Sequence, residues 1–138
     1  MTYALAHGLQ AAIFQRLTSD DTLRALVGEH IYDQVPPGVL PTLYVALGPE
    51  VARDRSDQTG QGAEHDAAVS IVTDGAGFSA AKAVAAAVSD ALLGTDLRLS
   101  RGHAVFIRFL RASATRKGAG ETRQIDLIFR IRVEDDAA

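Results

Sequence analysis

The last third of the chain, residues 102–133, has the pattern of two long β-strands joined by a polar turn at 115–120. In the second strand, apolar and polar residues alternate, and one face carries Ile125, Leu127, Phe129, Ile131 and Val133. In the first strand, the same alternation places Val105, Ile107 and Phe109 on one face, with Ala104, Phe106, Arg108 and Leu110 opposite. A hairpin this long needs other elements to cover its apolar face, so the pattern predicts a sheet within a layered domain.

Three helices are predicted from apolar residues at helical spacing. The first covers residues 4–17, and the second follows the possible N-cap residues Thr18-Ser19-Asp20 and ends at Gly28. The second helix should turn Leu23, Leu26 and Val27 inward. The third begins at Phe78 or Ser79, has many alanines on its inner stripe and ends at Gly94, so it should pack closely on a sheet.

The remaining strands are shorter. Ile31-Tyr32, Leu43 to Gly48 and the segment around Ala67 to Ile71 are predicted strands. Residues 50–64 contain no large apolar residue after Val51, which predicts a loop of about fifteen residues. The resulting order predicts one α+β domain over residues 1–138, with a mostly antiparallel sheet and helices packed on one face.

The amino-acid composition excludes several kinds of functional site. The chain has no cysteine, which excludes thiolate metal sites and cysteine nucleophiles, and it has no apolar run long enough to span a bilayer. We therefore expect assembly in the cytoplasm and no membrane contact. Up to Leu97 there are 12 acidic and 5 basic residues, and from Arg98 onward 9 basic and 5 acidic. Copies could thus meet side by side, basic part to acidic part, unless folding mixes these charges.

The segment Gly77-Phe78-Ser79-Ala80-Ala81 resembles a nucleophile elbow, and His103 follows it in the order of a catalytic triad. Because the final glycine is missing and the chain is short for a hydrolase scaffold, we predict that Ser79 is instead a helix N-cap. A small hydrolase or ligand-binding protein centred on Ser79 and His103 remains the alternative. Along Glu64-His65-Asp66, neighbouring side chains alternate between faces, so we predict no metal site and no cofactor.

Arginines are frequent in the C-terminal hairpin, but the protein is acidic overall with a pI near 5.7 and few aromatic residues. This composition disfavours tight nucleic-acid binding. We expect Arg108 and Arg130 to pair across strands or across a subunit boundary.

The order of these elements, with several local motifs, resembles the tail completion or tail terminator proteins of long-tailed phages and gene transfer agents. The motifs run through most of the chain: Leu9-Gln10-Ala11-Ala12-Ile13, Leu26-Val27-Gly28, Ile31-Tyr32-Asp33-Gln34-Val35-Pro36-Pro37-Gly38, Pro41 to Gly48, Gly62 to Ser70, and Ala91-Leu92-Leu93 before the closing strands. Their order and spacing, above all Ile-Tyr-Asp-X-Val-Pro-Pro before a Pro-started strand, carry the resemblance.

The resemblance implies an assembly role without catalysis. It implies a ring, typically of six copies, that caps the tail tube, ends tube polymerisation and joins the tail to the DNA-filled head. The partners would be sister subunits, the tail tube protein and a head-side connector or stopper, with DNA passing through unbound. Another connector subunit, such as a stopper, is the alternative within this class.

For interfaces we select charged residues of the predicted loop 50–64, of the turn 115–120 and of the last strand. They are Arg53, Asp54, Arg55, Asp57, Arg116, Lys117, Arg130 and Arg132.

Overall fold

The computed structural model describes residues 3–56, 62–75, 77–94, 97–117 and 122–135. The helices are α1 (Ala6–Thr18), α2 (Asp21–Val27) and α3 (Ser79–Leu93). The strands are β1 (Ile31–Tyr32), β2 (Leu43–Asp54), β3 (Gly62–Thr73), β4 (His103–Lys117) and β5 (Thr122–Glu134). They form one five-stranded sheet in the order β1-β2-β3-β5-β4. The predicted α+β class is confirmed.

The sheet is antiparallel except where β1 pairs in parallel with β2. β3 and β5 pair over their full lengths, from Gly62 opposite Glu134 to Thr73 opposite Arg123. The β2–β3 hairpin therefore ends at one end of the sheet, and the β4–β5 hairpin ends at the other. This placement separates the two hairpin ends, which matters for any contact with neighbouring molecules.

The core lies between the helices and one face of the sheet, called here the inner face. All five alternating apolar residues predicted for β5 are buried, and the side chain of Phe129 is 1% exposed. α1 buries Leu9, Ile13 and Leu17, as its periodicity predicts. The inner stripe predicted for α3 is buried except for Ala80, which is exposed while its neighbour Ala81 is buried. The small alanine side chains of this stripe allow the helix to approach β3, β4 and β5 closely.

α2 begins and ends as the sequence predicts. The Asp20 side chain accepts a hydrogen bond from the Leu23 backbone N–H at 3.0 Å and so acts as the N-cap. Gly28 ends the helix with a positive φ of 61°. The inward assignment of Leu26 is wrong, because its side chain is exposed while Leu23 and Val27 reach the core.

The predicted long loop 50–64 is wrong. β2 continues to Asp54 and β3 begins at Gly62, so strand pairing covers most of this segment. The segment lacked an apolar strand pattern because charged side chains, among them Arg53 and Glu64, occupy its outer, helix-free face. Its inner face carries Ala52, Ala63 and His65 together with the acidic residues Glu50 and Asp54.

The predicted alternation in β4 holds only in part. Ile107 and Phe109 lie opposite the core residues Ile131 and Phe129, but the pairing shifts register between Ala104 and Phe106 and again between Phe109 and Arg111. The first shift leaves Val105 exposed and turns Ala104 toward the core, the reverse of the prediction. A bulge inserts one extra residue into the strand, so it moves the side chains that follow it to the opposite face from the one that simple alternation predicts.

Candidate assembly surfaces

Carboxylates of β3 lie between arginines of β2 and β5 on the outer face of the sheet. Arg130 donates two hydrogen bonds to Asp66, Nε to Oδ1 at 2.8 Å and Nη2 to Oδ2 at 3.0 Å. Arg53 Nη2 donates to Oδ2 of the same carboxylate at 2.8 Å. Glu64 lies beside them, with its Oε1 at 4.0 Å from both arginines. We call Arg53, Glu64, Asp66 and Arg130 the Asp66 cluster.

This geometry shifts the acid–base equilibrium of Asp66. The hydrogen bonds from Arg130, followed by the bond and charge of Arg53, lower the pKa of Asp66 to about 2 even though partial burial opposes the shift. The same pairing raises the pKa of Arg130. Asp66 therefore stays ionised at neutral pH, and its bonds to Arg53 and Arg130 tie β2, β3 and β5 together.

The neighbouring charges extend the cluster toward the end of the β2–β3 hairpin. Arg55 Nε lies 3.3 Å from Glu64 Oε1, and Arg132 Nη2 donates to the Arg55 carbonyl oxygen at 3.2 Å. Asp54 accepts hydrogen bonds from the backbone and hydroxyl of Ser56, which lower its pKa. The extension thus fastens the hairpin end to β5.

The selected interface residues therefore fall into two groups. Five of them, Arg53, Asp54, Arg55, Arg130 and Arg132, lie together at and beside the Asp66 cluster. Arg116 and Lys117 lie at the other end of the sheet, where Lys117 pairs with Thr122. Thr122 and Arg132 are ten residues apart on β5, which is about 34 Å. Asp57 lies outside the described residues.

The sequence interpretation missed the role of the two carboxylates. The sequence pattern suggests Glu64 and Asp66 only as possible metal ligands, whereas both face arginines on the outer face and His65 lies on the inner face. Their alternation did predict this division of faces. Within the described ranges, no group of three or more histidine, cysteine and acidic residues has a spacing that could hold a metal ion.

His65 forms a separate polar contact on the inner face. Its side chain is fully buried, and Nδ1 lies 3.1 Å from Glu50 Oε2. Glu50 also accepts a hydrogen bond from the Tyr3 hydroxyl, which raises the pKa of Tyr3. The contact joins the start of the chain to the β2–β3 hairpin.

The structure does not bring Ser79 and His103 together. Ser79 is the first residue of α3, next to Phe78, whose ring lies 5.5 Å from the Arg123 guanidinium at the start of β5. His103 lies beside Glu134 at the end of β5, 3.9 Å between Nε2 and Oε2. Eleven residues of β5, about 37 Å, separate these two neighbourhoods. The N-cap prediction is also wrong, because Phe78 occupies that position and no side chain caps the helix.

β4 forms one edge of the sheet, and its second half is exposed on both faces. Every residue from Arg108 to Lys117 is exposed, including the apolar Phe109 and Leu110. The ring of Phe109 packs edge-on against that of Phe129, with 5.9 Å between centroids. No acidic residue occurs in β4, which carries Arg108, Arg111, Arg116 and Lys117.

The family described as "Tail completion protein gp17" matches residues 11–134. The chain belongs to this tail completion family. The match spans α1 through β5, so the resemblance seen in the sequence is confirmed over nearly the whole chain. Among the described residues, no helix is both long and apolar enough to cross a membrane.

A solved structure gives a second comparison for this tail completion family member. A chain of the structure described as "Virion of native gene transfer agent (GTA) particle" is 58% identical and superimposes with a TM-score of 0.91. The alignment covers 96% of this chain and 99% of that chain. A comparison with curated proteins gave no match.

Proposed function

We propose that this protein is the tail terminator of a phage or phage-like particle. Its copies form a ring, typically of six, that caps the tail tube, ends tube polymerisation and joins the tail to the DNA-filled head. The observation that carries the proposal is the family match over residues 11–134, together with 58% identity to a chain of a gene transfer agent virion. The protein assembles in the bacterial cytoplasm and then becomes part of the particle at the head–tail junction.

The separation of the two hairpin ends supports a joining role. Asp54 and Gly62 end the β2–β3 hairpin beside Glu134, whereas Lys117 and Thr122 end the β4–β5 hairpin beyond the opposite end of β3. A subunit with projections at both ends of its sheet can contact two different neighbours at once. We assign these neighbours to the tail tube protein and the head-side connector or stopper.

The role is structural and not catalytic under this proposal. Ser79 and His103 lie near opposite ends of β5, so they do not form a nucleophile–base pair. A Ser79→Ala variant should support particle assembly as the wild type does. Loss of joined particles, with the variant folded, would favour the alternative of a hydrolytic or ligand-binding site.

DNA passes through the ring without specific binding in this proposal. The Asp66 cluster supports this view, because Arg53 and Arg130 are neutralised by carboxylates of the same chain. Free cations would attract phosphates strongly. The proposal therefore places the exposed cations of β4 at contacts between proteins and not on the wall of the ring that faces DNA.

The direct test is electron microscopy of particles from cells that lack the gene. A tail terminator predicts filled heads lying apart from tails, with tails of abnormal length, because nothing stops tube growth. Separate heads with tails of normal length would indicate a stopper or another connector subunit. Normal joined particles would refute an assembly role at the head–tail junction.

A further inference from the structure

The two edges of the sheet have opposite charge. At one edge, the exposed second half of β4 carries Arg111, Arg116 and Lys117 beside the apolar Phe109 and Leu110, and we call residues 109–117 the basic edge. At the other edge lies β1, and residues 20–33, which run from α2 into β1, contain four acidic residues against one arginine. We call residues 20–33 the acidic edge.

The charges of both edges are available to a partner. Asp21 and Glu29 on the acidic edge are exposed, and Glu29 and Asp33 flank β1. Arg111 and Lys117 on the basic edge are exposed and lie opposite the uncharged Ile128 and Thr122 of β5. In the part of the chain that the structure describes, none of Asp21, Glu29, Arg111 and Lys117 takes part in an ion pair.

Exposed apolar side chains accompany the charges on both sides. Val105, Phe109 and Leu110 are exposed on β4, and Leu26, Val35 and Val39 are exposed on or just after the acidic edge. These six form most of the large apolar side chains that the described residues expose. Apolar groups within a charged rim are typical of protein–protein contacts.

The position of the edges determines what kind of contact they can make. β1 and β4 are the first and last strands of the sheet, four strand spacings apart, which is about 19 Å. Pairing β4 with the β4 of another copy would place cations against cations, which is unfavourable. A head-to-tail contact places unlike charges together. Repeated head-to-tail contacts generate a ring when the rotation from each copy to the next adds up to a full turn.

We infer that the basic edge of one copy binds the acidic edge of the next copy, and that this contact closes the ring. The inference rests on the proposed tail terminator function and names the surfaces that this function needs. The partner is a second copy of this chain. DNA, which the basic edge alone could also attract, is the competing occupant that the experiments distinguish.

In the first experiment, cells that lack the gene are supplied with variants of the protein in which the charges of one edge or of both edges are reversed. Arg111→Glu/Lys117→Glu and Asp21→Arg/Glu29→Arg should each abolish joined particles, because each places like charges across every contact. A chain that carries all four substitutions should restore joined particles. Lys82→Glu/Arg98→Glu, which reverses two exposed cations outside both edges, should act as the wild type.

The outcomes separate the inference from the function on which it rests. Normal particles without any copy of the gene would refute the tail terminator function. If the gene is required, joined particles from either folded double variant would overturn the inference. Failure of the folded four-substitution chain would also overturn it and would indicate DNA or another acidic partner at the basic edge. Unfolding curves of the purified variants establish that each is folded.

The second experiment uses the scarcity of lysine, since Lys82 and Lys117 are the only two in the chain. A carbodiimide joins a lysine amine to a carboxylate as an amide and takes up the elements of water to become a urea. No atom of the reagent stays in the link, so it joins only groups already in contact. Because the edges lie at opposite sides of the sheet, a link from Lys117 to Asp21, Glu29 or Asp33 must join two copies. Mass spectrometry of cross-linked particles should find this link, and Lys117→Arg should remove it. Links from Lys117 to another protein, or none at all, would overturn the inference.

Discussion

Replacing Asp66 with Asn tests the Asp66 cluster, which holds three strands together. Asp66 is 17% exposed, and Arg53 and Arg130 are 31% and 35% exposed. The amide keeps the shape of the carboxylate but removes its charge. Arg130 then faces Arg108, its cross-strand partner on β4, without the carboxylate that balances it on β3.

The size of the effect follows from the pKa of Asp66, which falls from 3.8 to about 2. That shift corresponds to about 2.5 kcal/mol of folding free energy at neutral pH. Because water screens the two partly exposed arginines, we expect a loss of about 1–2 kcal/mol. For a domain of this size the melting temperature should fall by roughly 3–8 °C. Thermal unfolding at pH 7 and a fixed protein concentration measures the change.

The pH dependence gives an independent check. The folded pKa of Asp66 lies below its unfolded value, so the stabilisation is complete above about pH 4 and is lost as the pH falls toward 2. The difference in unfolding free energy between wild type and Asp66→Asn should therefore shrink across this range. Denaturant titrations at several pH values follow it.

Asp126→Asn is the matched control. Asp126 lies on the same outer face and accepts hydrogen bonds from Ser70 and Gln124, and the amide oxygen of Asn can accept them as well. This variant should change the unfolding free energy by less than about 0.5 kcal/mol. Equal losses for Asp66→Asn and Asp126→Asn, or a loss at Asp66 that does not depend on pH, would refute the electrostatic reasoning.

Three further predictions concern the fold. Gly102→Ala should lower the melting temperature far more than Gly28→Ala. Both glycines have a positive φ, but an added Cβ at Gly102 would meet the Glu134 carbonyl oxygen at 2.4 Å, whereas Gly28 has open space. Equal losses of melting temperature in the two variants would contradict the packing argument. Asp20→Ala should lower the unfolding free energy by about 1 kcal/mol through loss of the α2 N-cap, and Asp20→Asn, a comparable cap, should not. Phe129→Ala should lower the unfolding free energy by about 3–5 kcal/mol in denaturant titration, and a loss below about 1 kcal/mol would show that the ring is not a core contact.

Much of the fold follows from the sequence alone. The alternation in β5 and the periodicity of α1 correctly predict which residues are buried, and the periodicity of α3 does so except at Ala80. These elements are regular, and each covers one face of the core. The turn residues Asp20 and Gly28 likewise identify the ends of α2. The order of elements is sufficient to indicate the α+β class and the resemblance to tail completion proteins.

The strand bulges, the full lengths of β2 and β3 and the charged edges were decided only by the tertiary structure, because each of these features depends on residues far apart in the chain. The bulges in β4 are set by its pairing with β5, and no local pattern marks them. The extension of β2 and β3 is stabilised by ion pairs such as Asp66 with Arg130, 64 residues away. The two charged edges likewise exist only because the strand order places β1 and β4 at opposite sides of one sheet. Local patterns determine elements, and cross-strand pairing determines which of their charges are satisfied and which face outward.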